Sequence, residues 1–407
     1  MKIFKFLAIA LVAMLGFTAC DKDCDHEFIE HDFTKDIVGT WTTLNGELAE
    51  AMVIKADGSF TTTGVARGGS LYEEKGTIKV ENNKVTLAFD GDKDTFEGRL
   101  EFVAGKSMSL VMFDDNDVRL TYDYCENDLS DEVIGMWVCN DGVAGMAIQT
   151  YQEDGKCIYT GFSLGANDYM TNYESTYEVF GDMLFQKTGD QYFATRLTYL
   201  PNGISLGDIL TTTSTILIND KSVTSSYSFL RIKQTLDLSG NQYDYMKTFV
   251  TNVKGEDKDI PFLNTSFNFA KMDGSIIDKF LKSILFTVEF PEANKIKYSY
   301  LLEGQNIVIE APILVEGNKM TVKMSAINPA YLDVDMYAFQ DQDNTQMHWY
   351  MHTTSFEKFF ANTSVALMLG YGQLDKNDTE AIANVYKTIA DAVHSINLSL
   401  VMTKTAK

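Results

Sequence analysis

The sequence predicts a mainly β protein, with two tandem eight-stranded antiparallel barrels followed by an α+β, β-rich C-terminal domain. Three observations carry that prediction. Short runs of alternating apolar and polar residues, separated by turn signals, recur from Ile37 to Ile232 at the spacing of small all-β domains. Gly39-Thr40-Trp41 returns as Gly135-Met136-Trp137, each copy opening such a run. Beyond Gln234 strand signals mix with helix-period segments.

In the first copy, residues 37–125, strands are expected near 38–44, 51–56, 59–64, 71–79, 83–89, 95–103, 107–113 and 117–124. Val85, Leu87 and Phe89 alternate with polar residues, so one face is buried. Asp57-Gly58, Asn82-Asn83 and Gly105-Lys106 supply the positive φ that tight hairpin turns require. The second copy, residues 133–233, keeps the landmarks in register. Trp41 lies 16 residues before Asp57 and Trp137 lies 17 before Asp154, and Gly64 and Gly161 follow at matched spacing, each preceded by Thr. Matched landmarks of this kind point to a duplicated unit.

The polar stretch Gly240 to Asp259 reads as a linker or long loop, and residues 260–407 as the third domain. Ile276 to Leu285 has helical spacing behind Ser275. Helices are also expected from Thr354, with Glu357, and from Asn377, with Glu380, both in capping-box spacing. Residues 397–402 read as a closing strand. Helices packed over the sheet, or plugging a barrel mouth, complete this domain.

The N-terminus has the form of a processing signal. Lys2 and Lys5 precede an uncharged apolar run from Phe6 to Phe17, too short to span a bilayer, and Thr18-Ala19 are small residues before Cys20. This arrangement resembles the lipobox of bacterial lipoproteins, with Phe17 where an aliphatic residue is usual. The resemblance implies a signal peptide of residues 1–19, lipidation of Cys20, an acidic tether over 20–36, and an outer-membrane lipid anchor. The acidic run around Asp21, Asp23, Asp25 and Glu27 resembles the export signals of surface-exposed lipoproteins. Removing two lysines with the signal takes the net charge from −23 to −25, which repels nucleic acid and anionic lipid, so membrane attachment rests on acyl chains. Four other cysteines remain, Cys24, Cys125, Cys139 and Cys157, permitting three disulfide connectivities, among which Cys24 with Cys125 is preferred.

A Gly-x-Trp opening a small all-β domain is similar to the lipocalin-like domains of bacterial lipoproteins, often found in tandem. In that family the tryptophan closes one barrel end against a basic residue of the last strand. The resemblance therefore implies that Arg119 packs on Trp41 and Arg231 on Trp137 through cation–π stacking.

Catalytic and metal signatures are weak. Gly161-Phe162-Ser163-Leu164-Gly165 matches a nucleophile elbow, but a loop follows it where that motif needs a helix. His348 and His352 fall in a strand-period segment, which separates them by ~13 Å, too far for one zinc. Asp21, Asp23 and Asp25 begin like a calcium loop but have His26 where glycine is needed, and Asp341-Gln342-Asp343-Asn344 reads first as a turn. Neither a cofactor fingerprint nor a metal motif emerges. The expected function is a non-enzymatic cell-envelope lipoprotein acting as a binding or interaction module. Its partners would be the membrane through the lipid anchor, an envelope protein or a small apolar ligand, and not nucleic acid. One alternative is a carrier of a small apolar ligand in a barrel interior, and another is a hydrolase centred on the C-terminal domain, with its histidines and Trp349.

Overall fold

The computed structural model describes residues 33–405 apart from 46–47, 67–68, 114–117, 141–145, 162–170, 202–206, 219–220, 257–258, 263–264, 269–273 and 303. The expected signal peptide, Cys20, Cys24, the expected acidic tether up to Asp32 and the Phe162–Gly165 segment lie outside the described residues. Two compact units divide the chain: residues up to Val133 with 175–198 and 212–226, and residues 134–174 with 199–211 and 227–407.

The described residues form three closed eight-stranded barrels. A one-turn helix α1 (Phe33–Asp36) leads into the first, made of β1 (Gly39–Leu44), β2 (Ala49–Ile54), β3 (Ser59–Val65), β4 (Leu71–Glu81), β5 (Lys84–Phe89), β6 (Thr95–Val103), β7 (Ser107–Met112) and β8 (Arg119–Cys125). These run up and down in chain order, and β8 pairs back onto β1. The second barrel repeats the order with β9 (Gly135–Asn140), β10 (Met146–Tyr151), β11 (Lys156–Gly161), β12 (Thr171–Phe180), β13 (Met183–Thr188), β14 (Gln191–Leu200), β15 (Ile209–Ile218) and β16 (Lys221–Arg231). Closure matters because an open edge would leave a row of unpaired N–H and C=O groups.

The first barrel is filled by its own side chains. Val85, Leu87, Leu100, Met108, Leu110 and Tyr122 share one inward cluster with Trp41. Asn82 and Asn83 both take positive φ, +50° and +63°, which lets β4 and β5 reverse in two residues. One inward carboxyl interrupts the apolar filling. Glu50 is buried and accepts hydrogen bonds from Tyr122 (2.6 Å) and Tyr72 (2.5 Å), while burial holds its carboxyl above the usual range.

The C-terminal region is a third barrel, which the sequence reading undercounts as a β-rich domain. It comprises β17 (Asn241–Gly255), β20 (Thr287–Phe290), β21 (Lys295–Leu302), β22 (Gln305–Glu316), β23 (Lys319–Val322), β24 (Val334–Gln340), β25 (Gln346–Met351) and β26 (Val393–Lys404). A side hairpin of β18 (Asp259–Phe262) and β19 (Thr265–Asn268) and helix α2 (Gly274–Ser283) intervene between β17 and β20. Helices α3 (Thr353–Gly370) and α4 (Thr379–Ala392) intervene between β25 and β26. The supposed linker from Gly240 is thus mostly β17. Its pairing with β26 shifts register at Tyr245/Lys247 and again at Thr251/Lys254, so the inward face moves from Tyr243 and Tyr245 to Thr248 and Val250. Bulges of this kind break the two-residue period that would have revealed the strand.

The repeated tryptophans sit at the seam between the first and last strands. Trp41 is opposite Tyr124, and Trp137 is opposite Arg231. Both indoles are fully buried. In the first barrel Trp41 meets Tyr124 and Phe102 edge-on, at centroid distances of 5.0 and 5.8 Å, and its Nε1 donates to the Ile37 carbonyl at 2.8 Å. In the second, the Arg231 guanidinium stands 4.5 Å from the Trp137 ring centroid, forms an ion pair with Asp208 at 3.3 Å and donates to the Ile134 carbonyl. Arg119 does not take the corresponding place over Trp41. It lies five residues before Tyr124, hence on the opposite face of β8, and there it pairs with Glu101 at 2.7 Å.

The glycine two residues before each tryptophan is favoured by its positive φ, and at Gly39 by the same packing as well. Gly39 and Gly135 have φ of +140° and +134°. A Cβ on Gly39 would come within 2.8 Å of the Tyr124 ring, whereas on Gly135 it would stay 3.5 Å from Arg231. Both alanine substitutions should therefore destabilise, by about 1–3 kcal/mol for the backbone strain, with Gly39→Ala the more costly because a wedged ring yields less than a guanidinium. Denaturant unfolding of the two variants measures this, and equal or negligible losses would contradict it.

Candidate ligand-binding site

The third barrel encloses the candidate site. Inward positions on its strands carry Ile296, Tyr298 and Tyr300 (β21), Val334, Met336 and Ala338 (β24), Met347, Trp349 and Met351 (β25) and Leu398, Leu400 and Met402 (β26), all in one buried cluster. Here the interior is completed by helices as well as strands. From α2 come Ile277, Phe280 and Leu281 with Ile284 just beyond, and from α3 come Phe356, Phe359, Phe360 and Leu367. Between them and Phe286, Tyr298, Tyr300, Ile309, Met324, Val334, Leu398 and Leu400 lies a cavity of about 80 Å³. Its lining contains no charged side chain.

Aromatic rings form much of the wall. Tyr298 meets Trp349 edge-on at 6.0 Å and Phe359 at 6.3 Å, and stacks with Phe286 at 6.1 Å. Such offset and edge geometries are favourable beyond the area they bury. The helices are pinned by specific polar ties. On α3, the Asn362 side chain donates to the Leu332 carbonyl and accepts from the Leu332 N–H and the Tyr386 hydroxyl. Thr353 exchanges hydrogen bonds with Ile396 of β26. Thr353, not Thr354, is therefore the first residue of α3, with His352 before it making no side-chain cap; the expected capping box does not form. At α4 the cap is Asp378, accepting from Ala381 N–H at 2.9 Å. On α2, Asp278 accepts from Tyr245 of β17 at 2.6 Å.

Neither histidine of the sequence reading faces the cavity. His348 lies opposite Phe339 and Val401, on the outward face of β25, and His352 follows the strand; both are buried. On the same outward face Phe339 and Tyr350 pack against Val138, Met146, Ile148 and Ile232, which explains the burial. Neither ring nitrogen of His348 has a hydrogen-bond partner, and burial pulls its pKa down to about 4. Asp341 to Asn344 is a turn, as read. Asp341 is buried and its oxygens are engaged by the Thr345 and Gln346 N–H groups and the Thr345 hydroxyl. Among the described residues no group of three or more His, Cys, Asp or Glu is placed to hold a metal ion. The Cys125 thiol donates to the Asn127 carbonyl, and burial pushes its pKa up to about 11; its proposed partner Cys24 lies outside the described residues. No helix among the described residues is long and apolar enough to cross a membrane.

The state of His348 has a measurable consequence. The unfolded chain takes up a proton near pH 6.5 and the folded chain only near 4, so this group's contribution is intact above 6.5 and is lost as pH falls through that window. Glu357, pushed up to about 7 by burial, acts with the opposite sign, so a difference measurement is needed. The stability of the native chain relative to His348→Leu should fall by about 1.4 kcal/mol per pH unit between 6.5 and 4. Urea titrations across that range test it, and a pH-independent difference would show that His348 is not held neutral.

No family model matches the chain and no curated protein is similar to it, so the functional reading rests on the geometry of this cavity.

Proposed function

We propose that the protein is a non-enzymatic envelope lipoprotein that binds a small apolar molecule in its third barrel. The supporting observation is the cavity itself, lined almost wholly by carbon and roofed by an amphipathic helix. Apolar cavities of this kind stay dry, and an apolar guest recovers the dispersion contacts that the empty lining forgoes. The lipobox-like segment ending at Cys20 supports placement at the outer membrane, and the first two barrels then serve as spacers or docking modules for another envelope protein. A hydrolase reading has less support, since His348 is turned away from the cavity and its neighbour His352 stands outside it at the head of α3.

The test uses xenon, an uncharged apolar atom of a size the cavity can hold, with binding read from its NMR shift. The native chain should bind it saturably at one site. Ile309→Phe, which puts a ring into the cavity, should weaken binding by about tenfold or more, while the overpacking cost of roughly 1–3 kcal/mol leaves the chain folded. An unchanged xenon shift with the native chain would end the ligand-binding proposal.

A further inference from the structure

Beyond that reading, and in addition to any docking part, we infer that the inner wall formed by β13 to β16 of the second barrel binds an uncharged amphiphile, a hydroxyl-bearing head joined to an apolar tail. Register and side-chain pairing fix the faces of these strands. Phe185 and Ala194 pair and pack outward in the cluster around Ala51, so Gln186 opposite Phe193, and Leu184 opposite Thr195, point inward. On β15 and β16 the hydroxyl pairs Thr213–Ser226 and Thr215–Thr224 hold the solvent-exposed outward face. The intervening positions set Ser214 opposite Ser225 and Ile216 opposite Val223 on the inward face, where Ser214 Oγ lies 3.4 Å from Thr195 Oγ1. These inward residues are not packed: Phe193 is 53% exposed, Ile216 56% and Val223 42%. Inward residues of the first barrel such as Val85, Leu87, Leu100 and Leu110 are buried. In a closed barrel an inward side chain reaches water only where the interior is unfilled, and eight strands leave room for one small guest. Further along the same strands Leu197 and Thr212 are buried, which gives the open stretch a floor.

Two adjacent rows of this wall carry the chemistry. Phe193, Ile216 and Val223 lie side by side across three strands, an exposed apolar strip whose removal from water is favourable. The next row is hydroxylic, made of Thr195, Ser214 and Ser225. The Thr195–Ser214 pair shares one hydrogen and keeps a donor and lone pairs over. Beside it the Gln186 amide nitrogen donates to Ser175 at 2.7 Å, which leaves the amide oxygen as an acceptor on the wall. Hydroxyls both give and accept, so they match hydroxyls of a ligand in either sense. Lys221, the first residue of β16, is the only charge among the described inward positions of this stretch. It is exposed, where water and salt screen it, so the wall favours a neutral head.

Isothermal titration of the full chain with octyl β-glucoside, kept below its micelle-forming concentration, provides the test. One saturable site is expected. Ser225→Trp, which puts a ring into the open space, should weaken binding about tenfold or more, while Thr224→Trp, next to it on the outward face, should leave it unchanged. Thr195→Val removes one hydroxyl at constant shape and should weaken binding about three- to tenfold. Phe193→Ser should weaken it about tenfold by removing contacts to the tail. Absence of saturable binding, equal effects of the two tryptophans, or no loss with either Thr195→Val or Phe193→Ser would overturn the inference. Ile309→Phe in the third barrel should leave glucoside binding unchanged, so this result and the xenon result stand apart; a loss there would place the glucoside in the third barrel and overturn the inference. Should Ser225→Trp not fold, Ser214→Trp on the neighbouring strand carries the same expectation, and unchanged binding with it would overturn the inference equally.

Discussion

Everything in this chain depends on closing a sheet, and each closure is secured by one buried aromatic on the first strand facing a residue of the last. Trp41 faces Tyr124, Trp137 faces Arg231, and in the third barrel Tyr243 faces Lys404. The position is constant while the chemistry varies. An edge-on aromatic cluster closes the first barrel and a cation over an indole the second. At Tyr243 a polar network takes over, since its hydroxyl donates to Asn344 and receives from Gln340. Because a strand pair at the seam contributes few contacts until the whole ring exists, a large buried side chain there joins sequence-distant strands once closure occurs.

How each barrel is filled decides what it can do. Eight strands enclose just enough space for side chains or for one small guest. In the first barrel Met, Leu, Phe and Tyr consume that space, and Glu50 is tolerated because two tyrosines satisfy it. In the third barrel the strands are joined by α2, α3 and α4, so part of the filling comes from helices. A helix surface and a barrel wall match less closely than interdigitating side chains, and a gap remains among rings too rigid to close it.

Alternation and turn chemistry made much of this legible. Val85, Leu87 and the paired asparagines at 82 and 83 announce a hairpin on local grounds alone, and each Gly-x-Trp motif marks the first strand of a barrel. The third barrel was harder to see, because its opening strand shifts register three times against the closing strand and its own aromatic is a tyrosine outside the repeated motif. Arg119 illustrates another limit. A basic residue in the last strand suffices for the pattern, but its parity relative to Tyr124 decides which face it occupies, and that requires the register. The cavity had no signature at all, since apolar residues on a strand look the same whether they fill space or line it.

The same physics suggests why the cavity sits under α2 rather than deeper in the barrel. Strands of the wall are held by continuous ladders, and α3 is fixed at Thr353 and Asn362 by hydrogen bonds to β26 and to Leu332. Helix α2 is tied by the hydrogen bonds that Asp278 accepts from the Tyr245 hydroxyl and the Thr248 N–H, and by the Leu301 N–H bonded to the Ile284 carbonyl that follows it. Regions with few ties open at lower free energy than those locked in ladders. An apolar guest must displace something to enter, and the least expensive displacement is of the element with the fewest bonds to break. For α2 those bonds are the ones at Asp278 and Ile284, which a guest entering on this side has to break.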